Sequence, residues 1–489
     1  MAIRCRNWSR VFLGYLVRNA ASLAVCLIAI SCSLAQPAST RNPRSQPQSR
    51  QRSNQRLVFD ETKVRPNEVL VRFANTLNIQ SIQRIIKTLP NVDVVEKIGG
   101  VPNLYRIHSR NRSVKELLDR LRKYLNREVL YAEPNVIVRA ESDPNDLGFE
   151  NQWGLKNTGL NLPQVHGTAG QDVSAIPAWE LFGNMQIGSR AIVTGVIDSG
   201  IDYNHRDLMN NIWSAPSTYK VTVGGLDIEC EQGTHGYDFV NHDCFPMDDN
   251  NHGTRQAGIT GAEGNNAFGM AGVNWVASML AIKILDNDAV GDAAMAANAV
   301  EFAIQLKRFF KENDFCDVRI LNNSYGWYLH DCSSCQSVKD QIEIARDNGI
   351  LFVASAGNDG IPTDIGQNQH FPSGFNISNI ISVAAFDNNG LFATFSNFGA
   401  TSVHLAAPGQ EIYSTIRNNG FSFRSGTSEA AAFVSGAAAL ALARCPTLST
   451  AGLKAAILNN VDPVTSWSTT PISTSGRLNI YQTSKSCTP

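Results

Sequence analysis

The chain has 489 residues, 43% hydrophobic and 17% charged, which leaves room for two or three domains and excludes a disordered or fibrous protein. Its formal charge of −1 conceals a gradient: residues 1–56 carry nine Arg and no acid, residues 57–142 fifteen basic and ten acidic side chains, and residues 143–489 eighteen and thirty-three. So acidic a C-terminal body argues against nucleic acid or anionic membrane as a partner, because both need clustered Lys and Arg.

In chain order, Arg4, Arg6, Arg10 and Arg18 precede a run from Ala20 to Ala35 that ends in Ser33-Leu34-Ala35. This pattern predicts a cleaved secretory signal over residues 1–35, and no later segment has the ~20 apolar residues of a membrane anchor. Secretion and no membrane association after cleavage follow. Residues 36–65 begin with a Gln-, Ser-, Arg-, Pro- and Asn-rich stretch and are expected to form a flexible linker.

From Pro66 the pattern changes. A strand-like Glu68 to Phe73 leads to a helix with Ile79, Ile82, Ile86 and Leu89 on one face. Val92 to Val95 and Leu104 to Ile107 read as strands, Val114, Leu117, Leu118, Leu121 and Leu125 as a second helix, and Val129 to Val138 as a last strand. That β-α-β-β-α-β order predicts a small ferredoxin-like α+β domain over residues 66–142. Beyond Asp143, apolar strands at Ala191–Ile197, Ser278–Ile284, Val318–Asn322, Ile350–Ser355 and Ile380–Ala384 alternate with helical stretches at Ala293–Phe310 and Val338–Asn348. The alternation predicts an α/β domain over residues 143–489, a doubly wound, mostly parallel sheet flanked by helices, with its chemistry at the strands' C-terminal ends.

Three segments carry that chemistry. Val193 to Asp198 is an apolar strand closed by a carboxylate and a Gly turn. Asp249-Asn-Asn-His252-Gly-Thr places an imidazole at the start of an Ala- and Gly-containing helix. Arg424-Ser-Gly-Thr-Ser428 opens a run to Ala443 whose only charge is Glu429, so the serine sits at the positive end of a buried helix. A serine hydroxyl needs a base to take its proton, and the base needs a carboxylate to fix its tautomer. The chain order Asp, His, Ser differs from that of hydrolases with a Gly-x-Ser-x-Gly elbow, and no such elbow occurs.

These blocks resemble the subtilisin-like serine proteases, or subtilases. Asp198-Ser-Gly-Ile-Asp, His252-Gly-Thr and Gly426-Thr-Ser428 match the three catalytic blocks in order, and Ala354-Ser-Ala-Gly-Asn358-Asp-Gly resembles the oxyanion loop. The likeness runs from about Asp146 to Tyr481. It implies that Asp198 orients, His252 acts as general base and acid, Ser428 attacks, and Asn358 donates to the oxyanion. It implies a serine endopeptidase acting on protein or peptide substrates, a monomer made as an autoprocessed zymogen. Residues 66–142 resemble the prodomain, an intramolecular inhibitor and folding aid, with self-cleavage near Arg139 to Pro144. Their charge of +5 against −15 favours such a complex.

The likeness also implies a primary specificity pocket lined by Ser324, Tyr325, Gly326, Ala356 and Gly357 with His370 near its base, which we expect to be large and mostly apolar. Asp146, Asp207 and the loop bearing Gly264, Asn266, Phe268 and Met270 resemble the family's tight Ca²⁺ site, whose hard oxygen ligands suit that ion. Four positions depart from the family pattern: Arg255, Glu429, Ala432 and Phe433. Glu429 bears most on activity, since a carboxylate beside the oxyanion opposes charge development unless it points to solvent. The alternative function is a catalytically impaired homologue that binds peptides along edges near Gly291 and Ser324 by strand addition. After signal removal seven Cys remain, at 230, 244, 316, 332, 335, 445 and 487; export permits disulfides, and the odd count leaves at least one thiol unpaired within the chain. Asn111, Asn322 and Asn376 begin glycosylation sequons.

Overall fold

The computed structural model describes residues 64–136, 143–160, 167–183, 185–310, 317–329, 335–364, 366–467 and 470–487. The signal segment, most of the linker, the expected cleavage region around Arg139 to Ser142, and Cys316 and Cys332 lie outside them. The chain divides into two compact units, residues 1–139 and 140–489.

In the first unit, β1 (Val64–Phe73), α1 (Ile79–Ile86), β2 (Val92–Lys97), β3 (Leu104–Ser109), α2 (Val114–Leu121) and β4 (Val129–Val136) follow the expected order. They form an antiparallel sheet ordered β2-β3-β1-β4. The first strand begins at Val64, two residues before the expected domain start. Asn78 caps α1 by accepting the Ser81 amide, and a Ser113/Glu116 capping box opens α2. Ile82, Ile85 and Ile86 of α1 and Leu117, Leu118 and Leu121 of α2 pack with Val69, Val71 and Phe73 of β1 in one core. Leu89 and Leu125 fall beyond the helices, and Ile79 is exposed.

The second unit runs α3 (Ala175–Glu180), β5 (Gly188–Asp198), β6 (Tyr219–Val223), β7 (Leu226–Cys230), β8 (Gly236–Asp238), α4 (His252–Gly261), β9 (Val276–Lys283), α5 (Ala293–Phe310), β10 (Asp317–Asn323), β11 (Trp327–Tyr328), α6 (Gln336–Asp347), β12 (Leu351–Ser355), β13 (His370–Phe371) and β14 (Ile380–Phe386). It ends with β15 (Leu405–Pro408), β16 (Ile412–Ile416), β17 (Gly420–Arg424), α7 (Thr427–Arg444), α8 (Thr450–Leu458), β18 (Asp462–Pro463), β19 (Gly476–Arg477) and α9 (Ile480–Ser486). Nine strands make the central sheet, ordered β18-β19-β15-β14-β12-β10-β5-β9-β8, parallel except for β18. Neighbours on β12 alternate sides: Leu351 and Val353 join the core under α7, while Phe352 and Ala354 join the core under α5 and α6. Burial on both faces is why these strands read as unbroken apolar runs.

The helix α7 is buried from Thr427 to Leu442. Its Ala-rich surface lets the sheet and α4 approach closely; a Cβ added at Gly436 would lie 2.7 Å from Val273 Cβ. Phe433, one of the four departures, packs against Gly154, where an added Cβ would meet its ring at 2.6 Å. Cys230 pairs with Cys244 and Cys445 with Cys487, and Cys335 is in a further disulfide whose partner lies outside the described residues. Asn322 is fully buried, taking a hydrogen bond from Ser435 Oγ at 2.8 Å, so its sequon cannot receive a glycan in the folded protein. Replacing the fully buried Leu440 by Ala should cost about 2–5 kcal/mol of stability. Urea unfolding of Leu440→Ala beside the wild type measures it.

Candidate active site

Each expected chemical group stands at the C-terminal edge of the sheet. Asp198 is the last residue of β5, Ser324 follows β10 and Asn358 follows β12. The helices α4 and α7 begin with His252 and with Thr427-Ser428. His252 Nδ1 lies 2.7 Å from Asp198 Oδ1, which also accepts the Ser199 amide at 2.7 Å. Asp198 Oδ2 is buried with no protein hydrogen bond. Burial opposes protonation of the His252 ring, but the carboxylate of Asp198, aided by Glu429, outweighs it, and the pKa lies above the ordinary 6.5.

The strand end and the helix start are joined by a residue the sequence reading did not single out. Asp248, fully buried, accepts Ser199 Oγ at 2.9 Å, the Asn250 and Asn251 amides at 2.8 and 3.0 Å, and the Thr254 amide at 3.0 Å. Ser199 Oγ in turn accepts the Gly253 amide at 2.9 Å. A carboxylate at the N-terminus of α4 satisfies amides that lack helical partners and is favoured by the helix dipole. The buried Lys283 ammonium donates to the Ser199 carbonyl at 3.0 Å and to Asp249 at 2.7 Å. The legible signal was an acid four residues before His252 and six before Thr254; an acidic run in a polar turn reads equally well as solvated surface.

Ser428 Oγ donates to the Ser324 carbonyl at 3.3 Å rather than to His252. Asn358 Oδ1 accepts the Thr427 amide at 2.8 Å and Thr427 Oγ1 at 3.0 Å, which turns its Nδ2 away from Thr427 with no protein acceptor among the described residues. A Cβ built at Gly426 would stand 3.7 Å from both Asn358 Nδ2 and the Ser428 amide, so these two donors flank one point.

Within the expected pocket, the space between Gly326 and Gly357 is occupied by His370 and Tyr328. A Cβ at Gly326 would lie 2.3 Å from His370 Nε2, and a Cβ at Gly357 would lie 2.7 Å from Tyr328 Oη and 3.1 Å from His370 Cδ2. His370 is buried, its Nδ1 2.8 Å from Ser373 Oγ, and burial pushes its pKa down to about 4. Tyr328 donates to Asp359 and accepts Asn397 Nδ2 at 2.7 Å. Ala356 is buried beneath. The expected Ser324, Tyr325 and Gly326 line a mostly apolar cavity of about 600 Å³, which continues along Leu285, Val290, Gly291 and Trp327 with His252 at its edge; Ala356, Gly357 and His370 are not part of its lining. Tyr325 is part of its wall; its hydroxyl donates to Asn323 Oδ1 at 3.3 Å.

The residues expected to hold calcium converge on the loop 264–270. Asp146 accepts the Asn265 amide at 2.6 Å, and Asp207 accepts the Met270 amide at 2.8 Å and Asn266 Nδ2 at 2.9 Å. The Phe268 amide donates to Asn266 Oδ1 at 2.8 Å, and Gly264 packs on the Trp275 ring. Burial, reinforced by Asp146 and Glu263, pushes the Asp207 carboxyl up to about 7. A Cβ at Gly269 would sit 2.1 Å from Asp207 Oδ2, so the loop folds tightly round that carboxylate. Asp146, Asp207 and Glu263 concentrate negative charge at this loop, and among the described residues no group of three His, Cys, Asp or Glu side chains is placed to hold a metal ion.

A parallel sheet with Asp, a His-led helix and a Ser-led helix along one edge, in that chain order, defines the subtilisin-like class of serine protease. The chain belongs to the subtilase family, whose model matches residues 189–480. It is 30% identical over 378 residues to the thermophilic serine proteinase of Bacillus sp. (strain AK1), spanning 76% of this chain and 77% of that one. It is 31% identical over 312 residues to thermitase of Thermoactinomyces vulgaris, spanning 64% and 93%. With subtilisin-like protease 1 of Plasmodium falciparum (isolate 3D7) it shares 31% identity over 331 residues, 63% of this chain and 44% of that one.

One backbone contact limits where the imidazole can go: a Cβ at Gly253 would fall 2.0 Å from the Gly200 carbonyl and 3.1 Å from Asp198 Cβ. Gly253→Ala must push the start of α4 off β5. A displacement of about 1 Å should cost roughly a hundredfold in kcat, with circular dichroism unchanged.

Proposed function

We propose that this chain is a secreted serine endopeptidase, made as a precursor that cleaves itself. Ser428 Oγ attacks the peptide carbonyl as its proton passes to His252 Nε2. The 2.7 Å bond from Nδ1 to Asp198 fixes the ring's tautomer and stabilises the imidazolium, and it is the observation that carries this reading. The reaction requires the Ser428 side chain to turn from the Ser324 carbonyl toward His252, and such contacts commonly tighten only with substrate bound. The developing oxyanion is received by Asn358 Nδ2 and the Ser428 amide at the positive end of α7. His252 then delivers the proton to the leaving amine, and water repeats the sequence on the acyl-enzyme.

Residues 66–142 serve as the intramolecular inhibitor, cut near Arg139 to Pro144 by Ser428 itself. Among the described residues no helix is long and apolar enough to cross a membrane. Asp146, Asp207 and Asn266 would hold a structural Ca²⁺, which neutralises their mutual repulsion and takes no part in the chemistry.

Expression of the wild type beside Ser428→Ala is the decisive experiment. Only the wild type should shed its N-terminal region and be labelled by a fluorophosphonate. A protein that binds peptides but is never labelled would be the impaired homologue instead. Asn358→Ala should lose about 10²–10³-fold in kcat, the size expected for one oxyanion donor.

The general base must be neutral, and its pKa is raised, so kcat/KM should fall with decreasing pH and reach half its plateau above pH 6.5. Chelation by EDTA should lower the melting temperature of Ser428→Ala protein by roughly 5–10 °C, and added Ca²⁺ should restore it.

A further inference from the structure

Glu429 follows the nucleophile, yet its side chain points inward, contrary to the solvent-facing orientation that would make it harmless. It is 1% exposed, and its Oε1 has no hydrogen-bond partner among the described residues. Its Oε2 lies 2.7 Å from the Cβ position of Gly426, the same point that stands 3.7 Å from Asn358 Nδ2 and the Ser428 amide. A carboxylate oxygen therefore lies next to the point that the two oxyanion donors flank, and the absence of a side chain at Gly426 is what admits it.

Its counter-charge is another departure from the family pattern. Arg255 Nε on α4 is 3.8 Å from Glu429 Oε1, with both side chains buried. The guanidinium is held in place from the far side, donating to the Ser422 carbonyl at 2.9 Å and to Ser422 Oγ at 2.8 Å. Two residues distant in sequence, each unusual alone, thus meet as one buried pair between the His-led and Ser-led helices.

Resting on the peptidase reading, we propose that Glu429 is a positioning residue for the Ser428–His252 couple: its carboxylate favours the imidazolium form of His252, while Arg255 draws its charge away from the oxyanion. Arg255 pairs with the carboxylate and Asp198 with His252, and the other charges that act on these groups electrostatically include His252 and Arg424 on Glu429 and Asp248 on Arg255. Burial raises the Glu429 pKa and the two α4 cations oppose that rise. An uncompensated carboxylate here would repel the oxyanion; a compensated one stabilises the transition state's positive centre without that cost.

The test uses full-length protein bearing Glu429→Gln, Arg255→Leu or both, with kcat, KM and kcat/KM for a peptide amide read against pH, and active enzyme counted by fluorophosphonate labelling. Glu429→Gln, nearly isosteric, should move the acid limb of kcat/KM to lower pH and lower kcat several-fold with KM unchanged. Arg255→Leu alone should lower kcat about tenfold or more, and adding Glu429→Gln should recover most of that loss. An acid limb that stays in place for Glu429→Gln overturns the proposal, as does a double variant in which the two losses simply add. If Arg255→Leu does not fold, the pH profile of Glu429→Gln still decides. Wild-type protein that takes no label at Ser428 overturns the peptidase reading instead, so the two failures are distinct.

Discussion

The site depends on one buried carboxylate that is not part of the reaction. Asp248 ties the turn after β5 to the first turn of α4, through Ser199 on one side and the Asn250, Asn251 and Thr254 amides on the other. With that junction fixed, Asp198 and His252 meet at 2.7 Å. Without it, the strand end and the helix start would keep only the Ser199–Gly253, Asp202–Thr254 and Asp198–His252 bonds, and the turn between them would lose the acceptor that fixes its amides. Asn251 is held at φ 99°, outside the usual range for a residue with a side chain, and the Asp248 contact with its amide helps maintain this turn just before the imidazole.

The same edge shows how a parallel sheet collects distant residues. Asp198, Ser324 and Asn358 end or follow neighbouring strands, while α4 and α7 lie together and bring His252 and Ser428 to the same rim. None of these residues is a sequence neighbour of another; the right-handed crossovers make them spatial neighbours. In the proposed reaction the α7 N-terminus supplies both the nucleophile and an amide donor, a role that requires Gly426 to be free of bulk.

Much of this was legible before any coordinates. The apolar runs of β5, β9, β10, β12 and β14 and the periodic faces of α1 and α2 marked both units, because burial on two faces or one stripe leaves a plain pattern. The motifs located Asp198, His252, Ser428 and Asn358. Short elements such as β8, β15, β18 and β19 were not visible, since two to four residues carry no periodicity and are fixed by their neighbours. Asp248 and the Arg255–Glu429 pair escaped for a different reason: a buried charge looks like a surface charge until its partner is known. The extent of the pocket was not legible either: Ser324, Tyr325 and Gly326 line a mostly apolar cavity, but it runs toward Val290 and Gly291, and His370 fills the space between Gly326 and Gly357, which no linear pattern reveals.

The placement of α7 carries a final consequence. The helix that bears the nucleophile packs against β5, β10, β12, β14 and β15, and its own residues begin only at position 427 of 489. During synthesis, the sheet's central strands emerge from the ribosome long before the segment that must fill the slot beneath them. The Ser-led helix is thus the last of the site's elements to be made, and the rim formed by Asp198, His252 and Asn358 stays without its serine until α7 docks.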